Sequence, residues 1–219
     1  MIIAIDGPAG AGKSTVGKRV ARKLGFLYID TGAMYRALTL KAIEQNISVT
    51  DTKALTRMAE NSSIDLINKD DGALVVKLDS RDVSKEIRQP RITQLVSDIA
   101  KIKEVRRIMV RLQRKLGKEK DSVLDGRDIG TVVFPDADRK FYVDADFKER
   151  VRRRFEELKQ AGQDITFEAV EADLLNRDTI DSTREVAPLK KADDAIYLDT
   201  TKMTIDEVVA EILNRIKNG

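Results

Sequence analysis

A glycine-rich segment near the amino terminus has the residue types and spacing of a phosphate-binding loop. Residues 7–14, with the sequence GPAGAGKS, match the pattern G-x-x-x-x-G-K-[ST] between an apolar run at residues 2–5 and a helical pattern at residues 13–24. Its glycines let successive backbone N–H groups point inward at an anion, with the helix N-terminus behind them. We therefore expect ATP to bind here, with Lys13 bridging its β- and γ-phosphates and the Ser14 hydroxyl binding Mg²⁺. The nucleotide-binding residues predicted in this segment are Gly7, Pro8, Ala9, Gly10, Ala11, Gly12, Lys13, Ser14 and Thr15.

Two polar clusters further along the chain are suited to hold a second, smaller ligand. Residues 30–36, DTGAMYR, place a hydroxyl and a glycine after an apolar run, and Arg36 follows one helical turn later. Its guanidinium can bind a phosphate through two N–H groups, although a surface arginine on an ordinary helix is the alternative. Residues 125–128, DGRD, place an arginine between two carboxylates, where a switch-type NTPase more usually has Asp-Glu or Asp-x-x-Gly. Both clusters favour a small-molecule kinase over a motor or a switch.

A third cluster is rich in arginine. Its first part lies on a predicted helix and comprises Arg150, Arg153 and Arg154. Its second part comprises Arg177, Asp181 and Arg184, whose i, i+4, i+7 spacing places them on one face if the helix extends that far. The alternative for the run 152–154 is a solvated basic face, paired with Glu156, Glu157 and Glu171.

The composition narrows the chemistry that these clusters can perform. The 219 residues contain no histidine and no cysteine, which excludes histidine bases, thiolate nucleophiles, disulfides and zinc–thiolate sites. Phosphoryl transfer remains, because it depends mainly on positioning and charge neutralisation by lysine, arginine, carboxylates and backbone amides. Lys+Arg of 40 nearly balances Asp+Glu of 37, and aromatic residues make up only 5%, so we do not expect nucleic-acid binding.

The elements that must position these clusters alternate between strand and helix. Short apolar runs, most of them followed by aspartate, occur at residues 2–5, 26–29, 123–124, 141–143 and 195–198. This pattern is typical of buried parallel strands with helices between them. It predicts an α/β fold with a five-stranded, doubly wound parallel sheet flanked by helices, and with ligands at the carboxyl ends of the strands. The predicted helices span residues 13–24, 90–100, 104–116 before Gly117, 146–162, and the segment after a capping box at 204–207.

One segment interrupts this alternation. Apolar runs at residues 64–67 and 74–78 flank a glycine-containing turn at residues 69–72. This arrangement predicts a β-hairpin, and therefore a small antiparallel insertion on the substrate side of the parallel sheet.

The chain resembles the bacterial cytidylate kinases, a family of P-loop nucleoside-monophosphate kinases. The resemblance rests on IDGPAGAGKST, DTGAMYRAL, DGRDIGTVVFPDA and REVAPL, which span almost the whole length. It implies transfer of the γ-phosphoryl group of ATP to CMP or dCMP in pyrimidine nucleotide metabolism, with Mg²⁺. The hairpin fits, because these kinases carry an enlarged nucleotide-binding insertion. The resemblance also implies a single P-loop kinase domain over residues 1–219, with a core at about 1–36, 100–148 and 185–219, an insertion at about 37–99 and a helical lid at about 149–184.

The resemblance implies a role for each matching residue. The CMP phosphate would be held by Arg36, Arg127 and Arg184, the cytosine by Ser97, Arg106 and Asp128, and the ribose by Arg177 and Asp181. Arg153 and Arg154 would close over the ATP phosphates. Thr31 stands where some relatives have serine and keeps the hydroxyl of the substrate site. The catalytic group would consist of Lys13, Arg127, Asp128 and Arg184.

Two other classes of function stay open from the sequence. The nearer is another small-molecule P-loop kinase, acting on UMP, dTMP or shikimate. The more distant is a nucleotide-dependent switch or nucleic-acid-binding protein. No apolar stretch is long enough to span a membrane and no signal peptide precedes residues 2–5, so we expect a cytoplasmic enzyme that does not bind membranes. Because its lid and substrate segments must move, we expect a monomer.

Overall fold

Strands and helices alternate along residues 1–218, the part of the chain that the structure, a computed structural model, describes. The strands are β1 (Ile2–Asp6), β2 (Leu27–Asp30), β3 (Ile64–Asn68), β4 (Leu74–Leu78), β5 (Arg81–Asp82), β6 (Ser122–Gly126), β7 (Arg139–Asp144) and β8 (Ile196–Asp199). The α-helices are α1 (Lys13–Leu24), α2 (Thr31–Glu44), α3 (Thr52–Glu60), α4 (Pro90–Ala100), α5 (Lys103–Glu119), α6 (Phe147–Gln160), α7 (Phe167–Thr183) and α8 (Ile205–Lys217). A 3₁₀ turn spans Glu86–Arg88, and a single π-helical turn spans Ile129–Val133.

The central sheet is parallel and has the strand order β2-β6-β1-β7-β8, which confirms the predicted fold. Its middle strand β1 is fully covered, because Ile3, Ala4 and Ile5 are completely buried. The register aligns Asp6 with Gly126 and Asp30 with Asp125. These three carboxylates and the loops that follow them therefore meet at the carboxyl edge of the sheet, where doubly wound sheets bind ligands.

Three helix ends follow the local rules that predicted them. Gly25 closes α1 in the left-handed conformation, with a φ of 70°. Asp146 caps α6 by accepting a hydrogen bond from the Lys148 N–H at 2.9 Å. Thr204 and Glu207 form the predicted reciprocal capping box at the start of α8. Within residues 1–218, no helix is both long and apolar enough to cross a bilayer.

The sequence predicts that helix α5 ends before Gly117, but the helix continues to Glu119. A Cβ atom at Gly117 would lie 2.8 Å from the Phe134 ring, so the glycine allows the helix to approach that ring closely. Gly117 is therefore a packing position inside the helix and does not end it. The close packing against Phe134 outweighs the low helix propensity of glycine.

The predicted hairpin is present as β3 and β4, and a third short strand, β5, extends it. Helix α3, which the sequence analysis missed, packs beside it against α5 and contributes Leu55 to the same core. Asn68 attaches the hairpin to β2, since its side chain accepts from the Tyr28 N–H at 3.2 Å and donates to the Tyr28 carbonyl at 3.0 Å. The insertion is thus anchored next to the carboxyl edge of the sheet.

Candidate active site

The glycine-rich loop between β1 and α1 packs on the sheet through its first residue. A Cβ atom at Gly7 would lie 2.0 Å from the Val143 carbonyl oxygen, so only glycine fits there. Gly12 adopts a φ of 86° and forms the N-cap of α1. The loop residues from Ala9 to Thr15 line the adjoining cleft, whereas Gly7 and Pro8 do not.

Lys13 is buried in this loop, and its ammonium group donates to the Pro8 carbonyl at 2.6 Å. Burial, reinforced by the nearby Arg127 guanidinium, lowers the pKa of Lys13 to about 7. An anion placed beside the ammonium would reverse both effects, because it favours the charged form. The position is therefore suited to bind phosphate oxygens.

The Ser14 hydroxyl donates to Asp125 at 2.7 Å, and the Tyr28 hydroxyl donates to the other Asp125 oxygen at 2.9 Å. Burial, with Asp30 nearby, raises the pKa of Asp125 to about 6. A hydroxyl and one carboxylate at the end of a phosphate-binding loop are the hard oxygen donors that Mg²⁺ prefers alongside nucleotide phosphates and water. The donor set therefore fits Mg²⁺, and Asp125 joins Ser14 as a candidate ligand.

One cleft of about 1310 Å³ contains the predicted residues of both ligand sites except Gly7 and Pro8. On the acceptor side it is lined by Thr31, Arg36, Ser97, Arg106, Arg127, Asp128, Arg177, Asp181 and Arg184. Arg153 and Arg154 also line it. So do residues 200–205 after β8, for which the sequence analysis predicted no role in the site. The structure therefore brings the predicted site together, while the role of each residue stays a prediction.

The acceptor side contains a network of arginines and aspartates. Arg106 pairs with Asp128, and Arg127 pairs with Asp181 at 2.9 Å. Arg184 lies 3.6 Å from both carboxylates. Arg184 is the first residue after α7. It therefore lies just beyond the helix and not on the helical face that its spacing suggested. Burial works against ionisation of Asp181, but Arg127 and Arg184 outweigh it and lower its pKa.

Three buried N–H groups in this network have no hydrogen-bond partner among the described residues. They are Arg106 Nε, Arg177 Nε and Arg184 Nη2. Burial, with Arg127 nearby, lowers the pKa of Arg177 to about 10, and burial together with Arg106 lowers that of Arg184. The lowered pKa values of these two guanidiniums, and the buried donors without a hydrogen-bond partner, indicate that the positive charge of Arg177 and Arg184 is not fully balanced by their protein neighbours. The network is suited to bind an anion that also offers several acceptors.

Arg36 and Thr31 lie at the start of α2 but differ in how freely they can contact a ligand. Arg36 contacts Asp30 at 3.2 Å, and Asp30 also caps α2 through the Ala33 N–H at 2.7 Å. The Thr31 hydroxyl donates to the Asp125 carbonyl at 2.7 Å, so its proton ties α2 to β6. A ligand at Thr31 would find only the lone pairs of the hydroxyl oxygen.

The arginines of α6 make different kinds of contact. Arg154 pairs with Glu157 and Arg152 pairs with Glu156, which are two of the three glutamates named in the solvated-face alternative. Arg152 also pairs with Glu149, which that alternative did not name. Arg153 pairs with Glu149 at 2.8 Å and donates to the Thr200 carbonyl at 2.6 Å.

Arg150 is the arginine of α6 that contacts the phosphate-binding loop. It donates to the Ala9 carbonyl at 2.9 Å and to Asp178 on α7 at 2.5 Å. Asp178 accepts in turn from the Ala9 N–H at 3.1 Å. The expected lid helices are thus joined to the loop through this pair. The sequence analysis listed Arg150 only within a basic cluster and missed Asp178, since no local pattern links residues so distant in the chain.

The chain matches a family model described as cytidylate kinase over residues 3–218. It is 51% identical to a cytidylate kinase from Clostridioides difficile (strain 630), over 99% of this chain and 98% of the relative. It is 52% identical to a cytidylate kinase from Caldanaerobacter subterraneus subsp. tengcongensis, over 99% of this chain and 95% of the relative.

Solved structures with low sequence identity share the fold. An uncharacterized protein from Eubacterium ventriosum aligns with a TM-score of 0.55 at 14% identity, over 100% of this chain and 99% of that chain. Shikimate kinase from Bacteroides thetaiotaomicron aligns with a TM-score of 0.50 at 12% identity, over 99% of this chain and 98% of that chain. The full-length family match and the relatives at about 50% identity show that the chain belongs to the cytidylate kinase family.

Proposed function

We propose that the protein transfers the γ-phosphoryl group of ATP to CMP or dCMP, giving ADP and CDP or dCDP. The observation that carries this proposal is the cleft in which a P-loop faces a buried arginine–aspartate network, where three N–H donors have no hydrogen-bond partner within residues 1–218. The P-loop suits the polyphosphate of the donor nucleotide, and the network suits a phosphorylated acceptor. Family membership is consistent with both halves of the site.

The proposed transfer needs no covalent intermediate and no general base. A phosphate oxygen of CMP is already anionic and attacks the γ-phosphorus directly, while the bond from that phosphorus to the β–γ bridging oxygen breaks and ADP leaves. This agrees with a chain that contains no histidine. Lys13, Arg127 and Arg184 would neutralise the negative charge that spreads over the transferred group.

Mg²⁺ would be held by Ser14 and by Asp125, which Tyr28 orients. When bound, the ion neutralises phosphate charge and orients the polyphosphate. The tyrosine contact matters because a metal-ligand carboxylate binds best when a neighbouring group fixes its direction.

Cytosine recognition would depend on Arg106 and Asp128. Cytosine presents an acceptor at N3 and a donor at its 4-amino group, and uracil inverts both. Arg106 supplies a buried Nε–H donor, and Asp128 supplies carboxylate acceptors. Uracil in the same pocket would leave buried polar groups unpaired, which is costly.

This pocket predicts strong selection against UMP. In a coupled assay of ADP release, kcat/KM for UMP should be lower than that for CMP by about 10²-fold or more. CMP, dCMP, UMP and AMP are compared in parallel at one ATP concentration, with a no-acceptor blank. Equal rates with CMP and UMP would show that these two residues do not recognise the base.

The same panel separates the proposal from its alternatives. A kinase for UMP, dTMP or shikimate would prefer its own acceptor. A switch or nucleic-acid-binding protein would hydrolyse ATP slowly without an acceptor and bind polynucleotides with an affinity that falls steeply with salt. Neither class is favoured, because the chain belongs to the cytidylate kinase family over its full matched length.

The division into a core, an insertion at about 37–99 and a lid at about 149–184 is also part of the proposal. Closure of the two smaller parts over bound nucleotides would exclude water and suppress ATP hydrolysis. The contacts that support it are the anchoring of the hairpin through Asn68 and the Arg150–Asp178 pair against the P-loop.

A further inference from the structure

Asp6, the last residue of β1, lies between the two halves of the site. Its side chain is almost fully buried, with only 4% of the residue exposed. Its main chain leads directly into the P-loop at Gly7, and in the sheet register it stands beside Gly126. Asp6 is not part of the phosphate-binding pattern of residues 7–14, and the proposed transfer gives its carboxyl group no role.

The carboxyl group of Asp6 binds the loop that carries two predicted substrate residues. Its two oxygens accept from the Ile129 N–H at 2.8 Å and from the Gly130 N–H at 2.7 Å. These amides begin the π-helical turn Ile129–Val133, where the first N–H groups have no partner within the turn itself. Burial raises the pKa of Asp6 to about 7, and the two N–H groups act against that rise, so they favour the ionised carboxylate.

The geometry leaves little freedom in this contact. A Cβ atom at Gly130 would lie 3.4 Å from Asp6 Oδ2 and 3.1 Å from the Lys140 side chain, so the glycine permits the close approach. The Asp128 carbonyl accepts from the Val132 and Val133 N–H groups at 2.9 and 3.1 Å, which continues the same turn. A displacement of Ile129 would therefore be passed on to Asp128, one residue earlier in the chain.

We infer that Asp6 is a positioning residue that holds the acceptor loop, residues 126–130, in fixed relation to the P-loop. This inference rests on the proposed function, because it takes Arg127 and Asp128 as groups that contact the acceptor nucleotide. Asp6 acts through these two residues and does not itself touch either substrate. It couples them to the donor site because its own main chain is the start of the P-loop.

The test is the variant Asp6→Asn, which keeps the shape of the side chain but turns an NH₂ group toward one of the two amide donors. At about pH 8, where the native carboxyl group is largely ionised, kcat with CMP should fall roughly tenfold. A displacement of a fraction of an ångström is enough for that effect. The ratio of kcat/KM for CMP to that for UMP should fall by a similar factor, whereas the KM for ATP should stay within about threefold.

The matched control is Ser122→Ala at the other end of β6. It removes a buried hydrogen bond to the Gly117 carbonyl (3.0 Å) without touching the acceptor loop. It should lower thermal stability but leave the CMP/UMP ratio unchanged. If Asp6→Asn does not fold, Gly130→Ala is the second variant. Its added methyl group would lie 3.1 Å from the Lys140 side chain and 3.4 Å from Asp6 Oδ2, so it crowds the loop beside the same contact and should also lower the ratio.

Two results would overturn the inference while wild-type protein phosphorylates CMP. One is an Asp6→Asn variant whose CMP and UMP kinetics match those of Ser122→Ala. The other is a loss of ATP and CMP binding in equal measure with an unchanged CMP/UMP ratio, which would make Asp6 a general structural residue. A wild-type protein inactive with CMP would overturn the proposed function first, and this inference with it.

Discussion

Replacing Lys13 with alanine should lower kcat by about 10²–10³-fold, the usual effect of removing one preorganised charged donor from a transferring group. The fold should remain intact. Lys13 is buried, and its lowered pKa shows that the folded protein disfavours its charge when no phosphate neutralises it. The only hydrogen bond it donates in the structure of residues 1–218 is to the Pro8 carbonyl. The loss of the ammonium should therefore affect nucleotide binding and turnover more than the stability of the loop.

Steady-state kinetics with CMP, together with a thermal melt, check this prediction. Lys23→Ala is the matched control, since Lys23 lies exposed in the last turn of the same helix. The control should retain wild-type turnover. Near-normal turnover in Lys13→Ala would contradict the assignment of this loop to the ATP phosphates.

Replacing Arg184 with alanine should lower kcat by at least about 10²-fold, because it removes a charge from beside the transferring phosphoryl group. Each carboxylate that Arg184 approaches keeps another arginine, since Arg106 stays with Asp128 and Arg127 stays with Asp181. The variant should therefore fold. If Arg184 only packed within the buried network, its loss would lower stability and leave the kinetics unchanged.

The neighbouring Asp181 should behave differently, and the structure shows how to test it. Asp181 also holds Arg127 at 2.9 Å, so Asp181→Ala would disturb both groups. Asp181→Asn keeps an oxygen for Arg127, while its amide group replaces the oxygen that lies 3.6 Å from Arg184 and that would contact the sugar. It should raise the KM for the monophosphate more than it lowers kcat, and the effect should differ between CMP and dCMP, since only CMP has a 2′-hydroxyl.

Both variants are measured with both substrates, and Arg215→Ala is the control, because Arg215 pairs with Glu211 on the exposed face of α8. Unchanged kinetics of Arg184→Ala and Asp181→Asn with CMP and with dCMP would show that neither buried residue acts on the acceptor nucleotide.

The parts of this fold that follow local rules could be predicted from the sequence. The five buried strands appear as short apolar runs, and the P-loop appears as a glycine pattern between a strand and a helix, because both patterns arise within a few neighbouring residues. The capping box at Thr204 and the end of α1 at Gly25 were predicted for the same reason.

Contacts between distant segments could not be predicted in this way. Gly117 has the composition of a helix end, yet the Phe134 ring that requires a glycine there is supplied by another segment. Asp178 meets Ala9 across 169 positions of the chain, and Asp6 meets Ile129 across 123. Such groups are ordinary carboxylates in the sequence, and only the packing of the sheet reveals what they bind.

The measurement that tests the central claim most directly follows the phosphoryl group itself. Wild-type protein is incubated with ATP labelled in the γ-phosphate, Mg²⁺ and CMP, and the labelled products are separated. The account predicts that the label appears in CDP, in proportion to the ADP formed, and that little label is released as inorganic phosphate when CMP is omitted. Label that accumulates as inorganic phosphate at the same rate with and without CMP would contradict it.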